Sequence, residues 1–125
     1  MSQDQPAYYT AYITERGFRA TVIEMAEAHG WRVYCVLDTR VPARRTSKGF
    51  PDLLLLKDGV MYCWELKSEK GTATAEQLAW LEELAKVPGV RAAVVRPADI
   101  PMIEMALFNP AQECVNGAVA NNETV

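Results

Sequence analysis

Histidine is nearly absent from this chain, with one residue, His29, in 125. Cysteine is scarce as well: Cys35, Cys63 and Cys114 stand far apart, with no Cys-x-x-Cys pair among them. The thiolate and imidazole sets that hold zinc are therefore missing, and a metal here would be a hard ion held by carboxylates. An odd number of dispersed cysteines fits reduced thiols better than a disulfide frame, as expected of a cytoplasmic protein. No Ser/His or Cys/His nucleophile pair is on offer. Long apolar runs are missing too. The four leucines at 53–56 form the longest run of large aliphatic side chains, against the roughly 20 residues of a membrane span. The opening Met1-Ser2-Gln3-Asp4-Gln5-Pro6 lacks the basic and apolar regions of a leader, so no membrane partner is expected. Basic excess is also lacking. Thirteen Lys and Arg against sixteen Asp and Glu leave −3, and the pI of 5.2 argues at first sight against a nucleic-acid partner.

What the chain does have is half apolar composition and 125 residues, enough for one core and no second domain. Residues 14–108 read as the folded unit; 1–13 and 109–125, rich in Gln, Asn, Ala and Thr, read as flexible or interface extensions. Thr14 is placed to cap a helix running to about His29, with Phe18, Val22 and Met25 or Ala26 on one stripe and Gly30 as its stop. Glu15 lies on the same stripe. Residues 31–37 read as a strand, followed by a loop over 38–50. Strands at 52–57 and 60–67 flank Asp58-Gly59, a strong hairpin signal. Thr74-Ala75-Glu76-Gln77 matches a capping box and opens a helix over 75–86, with Leu78, Leu81 and Ala85 inward. Pro88-Gly89 ends it, 90–96 reads as a fourth strand, and Asp99 is placed to cap a last helix carrying Ile100, Ile103 and Leu107. The expected fold is α/β, an α-β-β-β-α-β core with a central mixed sheet covered by helices on each side.

A two-residue turn at Asp58-Gly59 sets Lys57 opposite Val60, and counting outward puts Asp52 opposite Glu65. Lys67, two residues beyond Glu65, points to the same face. A bulge or a longer turn would break this arrangement. Two facing carboxylates resist joint ionisation unless a cation lies between them. Magnesium takes one or two carboxylates and completes its shell with water and phosphate oxygens, so Asp52 and Glu65 are candidate metal ligands. Lys67 is then placed to position water or to stabilise charge developing on a phosphate. These residue types point to phosphodiester hydrolysis.

Pro51-Asp52, then Glu65-Leu66-Lys67, resembles the PD-(D/E)XK nuclease motif. With Gly49-Phe50-Pro51-Asp52-Leu53, Glu65-Leu66-Lys67-Ser68-Glu69-Lys70-Gly71, Glu76-Gln77-Leu78-Ala79-Trp80-Leu81, an upstream helix opening at Glu15 and Val94-Val95-Arg96-Pro97, residues 14–107 are similar to the VRR-NUC family. The resemblance implies a restriction-endonuclease-like core, with Glu15, Asp52 and Glu65 as metal-site acids, Lys67 as catalytic lysine and Gln77 as an accessory active-site residue. It implies magnesium, with manganese as a substitute, and a homodimeric endonuclease acting on branched DNA, with Holliday-junction-resolving character. The small stand-alone, virus-type members are similar in size to this chain, which is compatible with a virus-encoded protein acting in a host cytoplasm. Where many relatives carry a histidine after the first strand, this chain has Cys35-Val36-Leu37.

Each of these residues also has a plainer role available. Glu15 suits a first helical turn through the macrodipole, and Gln77 suits the capping box alone, though one side chain can serve both ends. His29 near a helix end fits a dipole partner better than a ligand, and Trp31, Trp64 and Trp80 fit a core or interface. The segment 39–51 holds Arg40, Arg44, Arg45 and Lys48 without an acid. We read it, with Lys70, as a phosphate-contacting set beside Asp52 rather than a solvated loop, because backbone contacts position a duplex without reading its bases. The acidic excess is also uneven: residues 76–125 hold seven acids and three bases (−4), leaving +1 for residues 1–75. The alternatives are a non-catalytic DNA-binding subunit and a sequence-specific restriction-type endonuclease.

Overall fold

The computed structural model describes residues 13–36 and 48–110. Helix α1 (Glu15–Ala28) starts where Thr14 accepts a hydrogen bond from the Gly17 N–H at 2.9 Å. It ends in a left-handed Gly30 (φ 85°), where the Trp31 N–H reaches the Ala26 carbonyl and the Gly30 N–H reaches the Glu27 carbonyl, each at 3.0 Å. This pair of bonds is a Schellman stop, which satisfies carbonyls that the helix end would leave open. The Lys57 ammonium adds a third contact, donating to the His29 carbonyl at 2.6 Å.

Strands β1 (Arg32–Cys35), β2 (Leu53–Lys57), β3 (Val60–Leu66) and β4 (Val90–Val95) form one sheet in sequence order. The first two pairings are antiparallel and the third is parallel. Asp58 and Gly59 both have positive φ, 50° and 80°, the backbone of a type I′ turn whose twist matches the flanking strands. Register follows from it: Lys57 pairs with Val60 and Leu53 with Trp64. A parallel β3–β4 pair needs a crossover, which α2 (Ala75–Leu84) supplies. A 3-10 turn (Pro97–Asp99) and α3 (Ile100–Phe108) follow.

Alternation divides the sheet. Leu53, Leu55, Tyr62, Trp64 and Leu66 share the face that packs on Phe18, Val22 and Ala26 of α1 and Ile103, Ala106 and Leu107 of α3. Trp31, Tyr62 and Trp64 stack in sequence at centroid distances of 4.9 and 4.8 Å. Their polar ends are satisfied by α3: Trp31 Nε1 donates to the Leu107 carbonyl and the Tyr62 hydroxyl to the Ala106 carbonyl, both at 3.0 Å. The opposite face carries α2 over β3 and β4, with Leu81 buried there. Its β1–β2 half is open, leaving Tyr34 64 % and Leu56 42 % exposed. The mixed sheet is thus flanked by helices on both faces, with α2 lying over β3 and β4.

Other expectations shift in detail. The strands are shorter than read from sequence, and Leu78 is exposed rather than inward, while Leu81 is buried and Gln77 turns to Glu65. Asp99 does not cap α3; its carboxylate accepts from the Arg96 N–H at 2.9 Å and closes the 3-10 turn. Segments 1–13 and 109–125 lie almost wholly outside the described residues. Among those described, no helix is long and apolar enough to cross a membrane.

The unequal faces predict unequal mutational costs. Leu55→Ala should cost about 2–5 kcal/mol in urea unfolding, while Leu56→Lys should stay within about 0.5 kcal/mol of the parent. Equal costs at the two positions would contradict this division of the sheet.

Candidate active site

Asp52 lies just before β2, after a fully buried Pro51. Its carbonyl accepts from the Val36 N–H at 2.8 Å, and its carboxylate from the Leu66 N–H at 3.1 Å. One residue thereby ties the ends of β1 and β3 to β2, and the register of the hairpin sets Asp52 opposite Glu65. Glu65 itself is 2 % exposed, an unusual place for a carboxylate.

Three groups surround it. Gln77 Nε2 donates to Glu65 Oε2 at 2.8 Å, and Lys67 Nζ stands 3.4 Å from that same oxygen. The other oxygen, Oε1, is buried and has no hydrogen-bond partner. Burial, followed by the negative charge of Asp52, pushes the Glu65 carboxyl up from 4.5 to about 7, against the opposing pull of Lys67. A buried acid half-ionised near neutrality, with an open lone pair and a second carboxylate beside it, lacks a proton or a cation. These residues fit a hard divalent ion, since magnesium needs no more than one or two carboxylates from the protein.

The two roles weighed for Gln77 are held by opposite ends of one amide. Its Oε1 accepts from the Thr74 N–H at 2.8 Å, completing the capping box of α2, while its Nε2 orients Glu65. The segment before Asp52 is clamped to the same helix end. Trp80 Nε1 donates to the Lys48 carbonyl at 3.0 Å, and Phe50 meets the Trp80 ring edge-on at 4.9 Å. Gly49 makes this approach possible: its φ is 87°, and a Cβ there would lie 2.8 Å from the Glu76 carbonyl carbon. Both acids are therefore referenced to the first turn of α2.

Glu15 occupies the first turn of α1, partly exposed. Among the described residues no three His, Cys, Asp or Glu side chains form a ready-made metal-holding group. One turn further along α1, Arg19 meets the Cys35 thiol of β1. Its guanidinium and the Asp52 carboxylate both act on the Cys35 thiol, which burial raises above its usual value. Sequence reasoning passed over Arg19, although its spacing of four from Glu15 puts the two on one helix face. Of the basic set, Arg40, Arg44 and Arg45 lie outside the described residues. Lys48 forms an exposed ion pair with Glu76 at 3.6 Å. Lys70 is exposed in the bend after Lys67, where Arg96 Nη1 holds the Ser68 and Gly71 carbonyls at 2.8 and 2.6 Å.

Comparison of the chain with protein-family models, with curated proteins and with solved structures found no match.

Glu65 makes stability depend on pH in an unusual direction. Its folded-state value lies above its unfolded one, so the folded state holds the extra proton between about 4.5 and 7. In the absence of divalent cations, stability should be greatest below that window and fall as pH rises through it, by on the order of 1–3 kcal/mol. Urea unfolding at pH 5 and 8 checks this, and Glu65→Gln should flatten the difference. Gly49→Ala should lower stability by about 1–3 kcal/mol, because the methyl group meets main chain at a backbone angle that L-residues rarely adopt. A fully stable Gly49→Ala protein would show that the clamp is looser than described.

Proposed function

We propose that this chain is a magnesium-dependent DNA endonuclease of the VRR-NUC family, with a restriction-endonuclease-like core, that hydrolyses phosphodiester bonds in branched or otherwise structured DNA. The observation that carries this reading is Glu65: a nearly fully buried acid with one oxygen held by Gln77 and Lys67, and the other unpartnered beside Asp52. A merely structural carboxylate in that position would cost stability and be replaceable by an apolar residue.

Asp52 and Glu65 are the residues that would hold the ion, and manganese is expected to substitute. When bound, a divalent cation supplies Lewis acidity toward water and phosphate oxygen, together with positive charge for the transition state. Asp52 is held in place by the Leu66 N–H, and Glu65 by Gln77, so neither carboxylate has to reorganise. Lys67, with a side chain 14 % exposed, keeps a compact ammonium next to Glu65. From there it is suited to orient the attacking water or to hold a phosphate oxygen as negative charge grows. Glu15 remains a candidate metal-site acid through the family resemblance alone.

Arg40, Arg44, Arg45, Lys48 and Lys70 are proposed as backbone contacts, which position a duplex without reading sequence. No base-reading module is evident in the sequence, so recognition is proposed to rest on DNA shape. Resolving a junction requires two cuts, and one chain of this size offers one site, so we propose a homodimer. The exposed Met102, Met105 and Phe108 of α3 supply apolar surface for it. The proposed setting is a cytoplasm, with a virus-encoded origin compatible with the size.

The test is a magnesium-dependent cleavage panel of four-way junction, flap, single strand and linear duplex. The junction should be nicked, and Lys67→Ala should cut at least about 100-fold more slowly with an unchanged circular dichroism spectrum. A Lys67→Ala protein as fast as the parent sinks the mechanism. If the parent nicks nothing, a non-catalytic DNA-binding role replaces it, and cutting of linear duplex at one defined sequence indicates a restriction-type enzyme.

A further inference from the structure

Lys67 is the first residue beyond β3, and its N–H extends the β3–β4 ladder by a bond to the Val95 carbonyl at 3.0 Å. Its Nζ stands 3.4 Å from Glu65 Oε2. A lysine carries its charge on a flexible four-carbon stem, so an ammonium kept in one place needs something to confine that stem. The bend that follows supplies it. The Gly71 N–H closes the bend onto the Ser68 carbonyl at 3.2 Å, and a Cβ on Gly71 would stand 3.5 Å from both Cβ and Cδ of Lys67. The chain thus folds back alongside the lysine stem, and the side chain is only 14 % exposed.

The bend is held in turn by Arg96, which directly follows β4. Its Nη1 donates to the Ser68 carbonyl at 2.8 Å and to the Gly71 carbonyl at 2.6 Å, joining the first and last residues of the bend through one nitrogen. Bonds from an ionised donor are roughly twice as strong as neutral ones. Arg96 is fixed at its own backbone, where its N–H donates to the Asp99 carboxylate at 2.9 Å and its carbonyl accepts from the Asp99 N–H at 2.8 Å. A second tie runs alongside: the Ala98 N–H donates to the Glu69 carboxylate at 2.5 Å. An arginine spent on main-chain carbonyls in this way is placed to hold the chain rather than to meet a phosphate.

We propose that Arg96 is a positioning residue for the cleavage reaction: by clamping the 68–71 bend against Lys67, it keeps the ammonium beside Glu65. The inference rests on the nuclease reading above and adds to it the device that holds its lysine. A group displaced by about 1 Å from its working position costs on the order of 100-fold in rate, so loosening the bend is felt at the reaction and not in DNA affinity.

The experiment compares the parent, Arg96→Met, Arg96→Lys, Lys67→Ala and the Arg96→Met, Lys67→Ala double variant. Three quantities are read: affinity for a four-way junction without magnesium, kcat and KM with it, and the rate of Lys67 acetylation in the DNA-free protein, with exposed Lys70 as the reference. Arg96→Met should lower kcat roughly 10- to 100-fold, leave KM and affinity within about threefold, and bring Lys67 acetylation toward that of Lys70. Arg96→Lys, which keeps a donor able to reach a bend carbonyl, should fall in between and serves alone if Arg96→Met does not fold. In the Lys67→Ala background Arg96→Met should slow cleavage no further, whereas a general structural role would slow both backgrounds equally. Equal slowing, unchanged Lys67 acetylation, or a loss of affinity in place of kcat overturns the Arg96 assignment and leaves the nuclease reading standing. A parent that cuts no DNA in the panel overturns the nuclease reading, and acetylation by itself then decides whether Arg96 holds Lys67.

Discussion

The antiparallel register of β2 and β3 is the constraint from which most of this molecule follows. A type I′ turn at Asp58-Gly59 pairs Lys57 with Val60, and every residue further out is then assigned to a face. Side chains alternate with a period of two, so a slip of one residue would exchange the two sets completely. Leu53, Leu55, Tyr62, Trp64 and Leu66 would leave the core, and Asp52, Glu65 and Lys67 would be forced into it. The burial of the aromatic stack against α1 and α3 thus also holds the two carboxylates together on the opposite side. Core packing and site geometry are two consequences of one register.

Holding Glu65 dehydrated is costly, and the structure distributes that cost over α2. Gln77 serves both the helix cap and the carboxylate. Trp80 and Phe50 bind the approach to Asp52 against the same helix, through a glycine that admits the main chain. Loosening the start of α2 would therefore relax both acids together. The open lone pair on Glu65 is a polar atom positioned without a protein partner. Natural folds concentrate such departures from local satisfaction where something else is to be bound.

Much of this was legible in advance because it is governed by local rules. Thr14, the Thr74-to-Gln77 box, Gly30 and Asp58-Gly59 act within a few residues of themselves, and each is found at its expected place. The facing of Asp52 and Glu65 was legible for the same reason, being simple counting from a turn of known length. What could not be read depends on separation in space. Leu78 has the spacing of a core residue but is half-exposed. Asp99 has the composition of a helix cap, yet a nearer N–H, that of Arg96, takes its carboxylate. Arg19 looks like an ordinary charge on a helix flank, yet packing seals two of its guanidinium nitrogens from solvent.

The sequence by itself determined the order of elements, the hairpin register and the residue types available for chemistry, since these rest on backbone sterics and short-range hydrogen bonds. Tertiary structure alone decided how far Glu65 is buried and how strongly its carboxyl is perturbed. Burial and charge–charge distance set the ionisation of Glu65, and neither is encoded in spacing along the chain. They arise only when α2 and the sheet close around one another and bury Glu65 beside Asp52, Gln77 and Lys67.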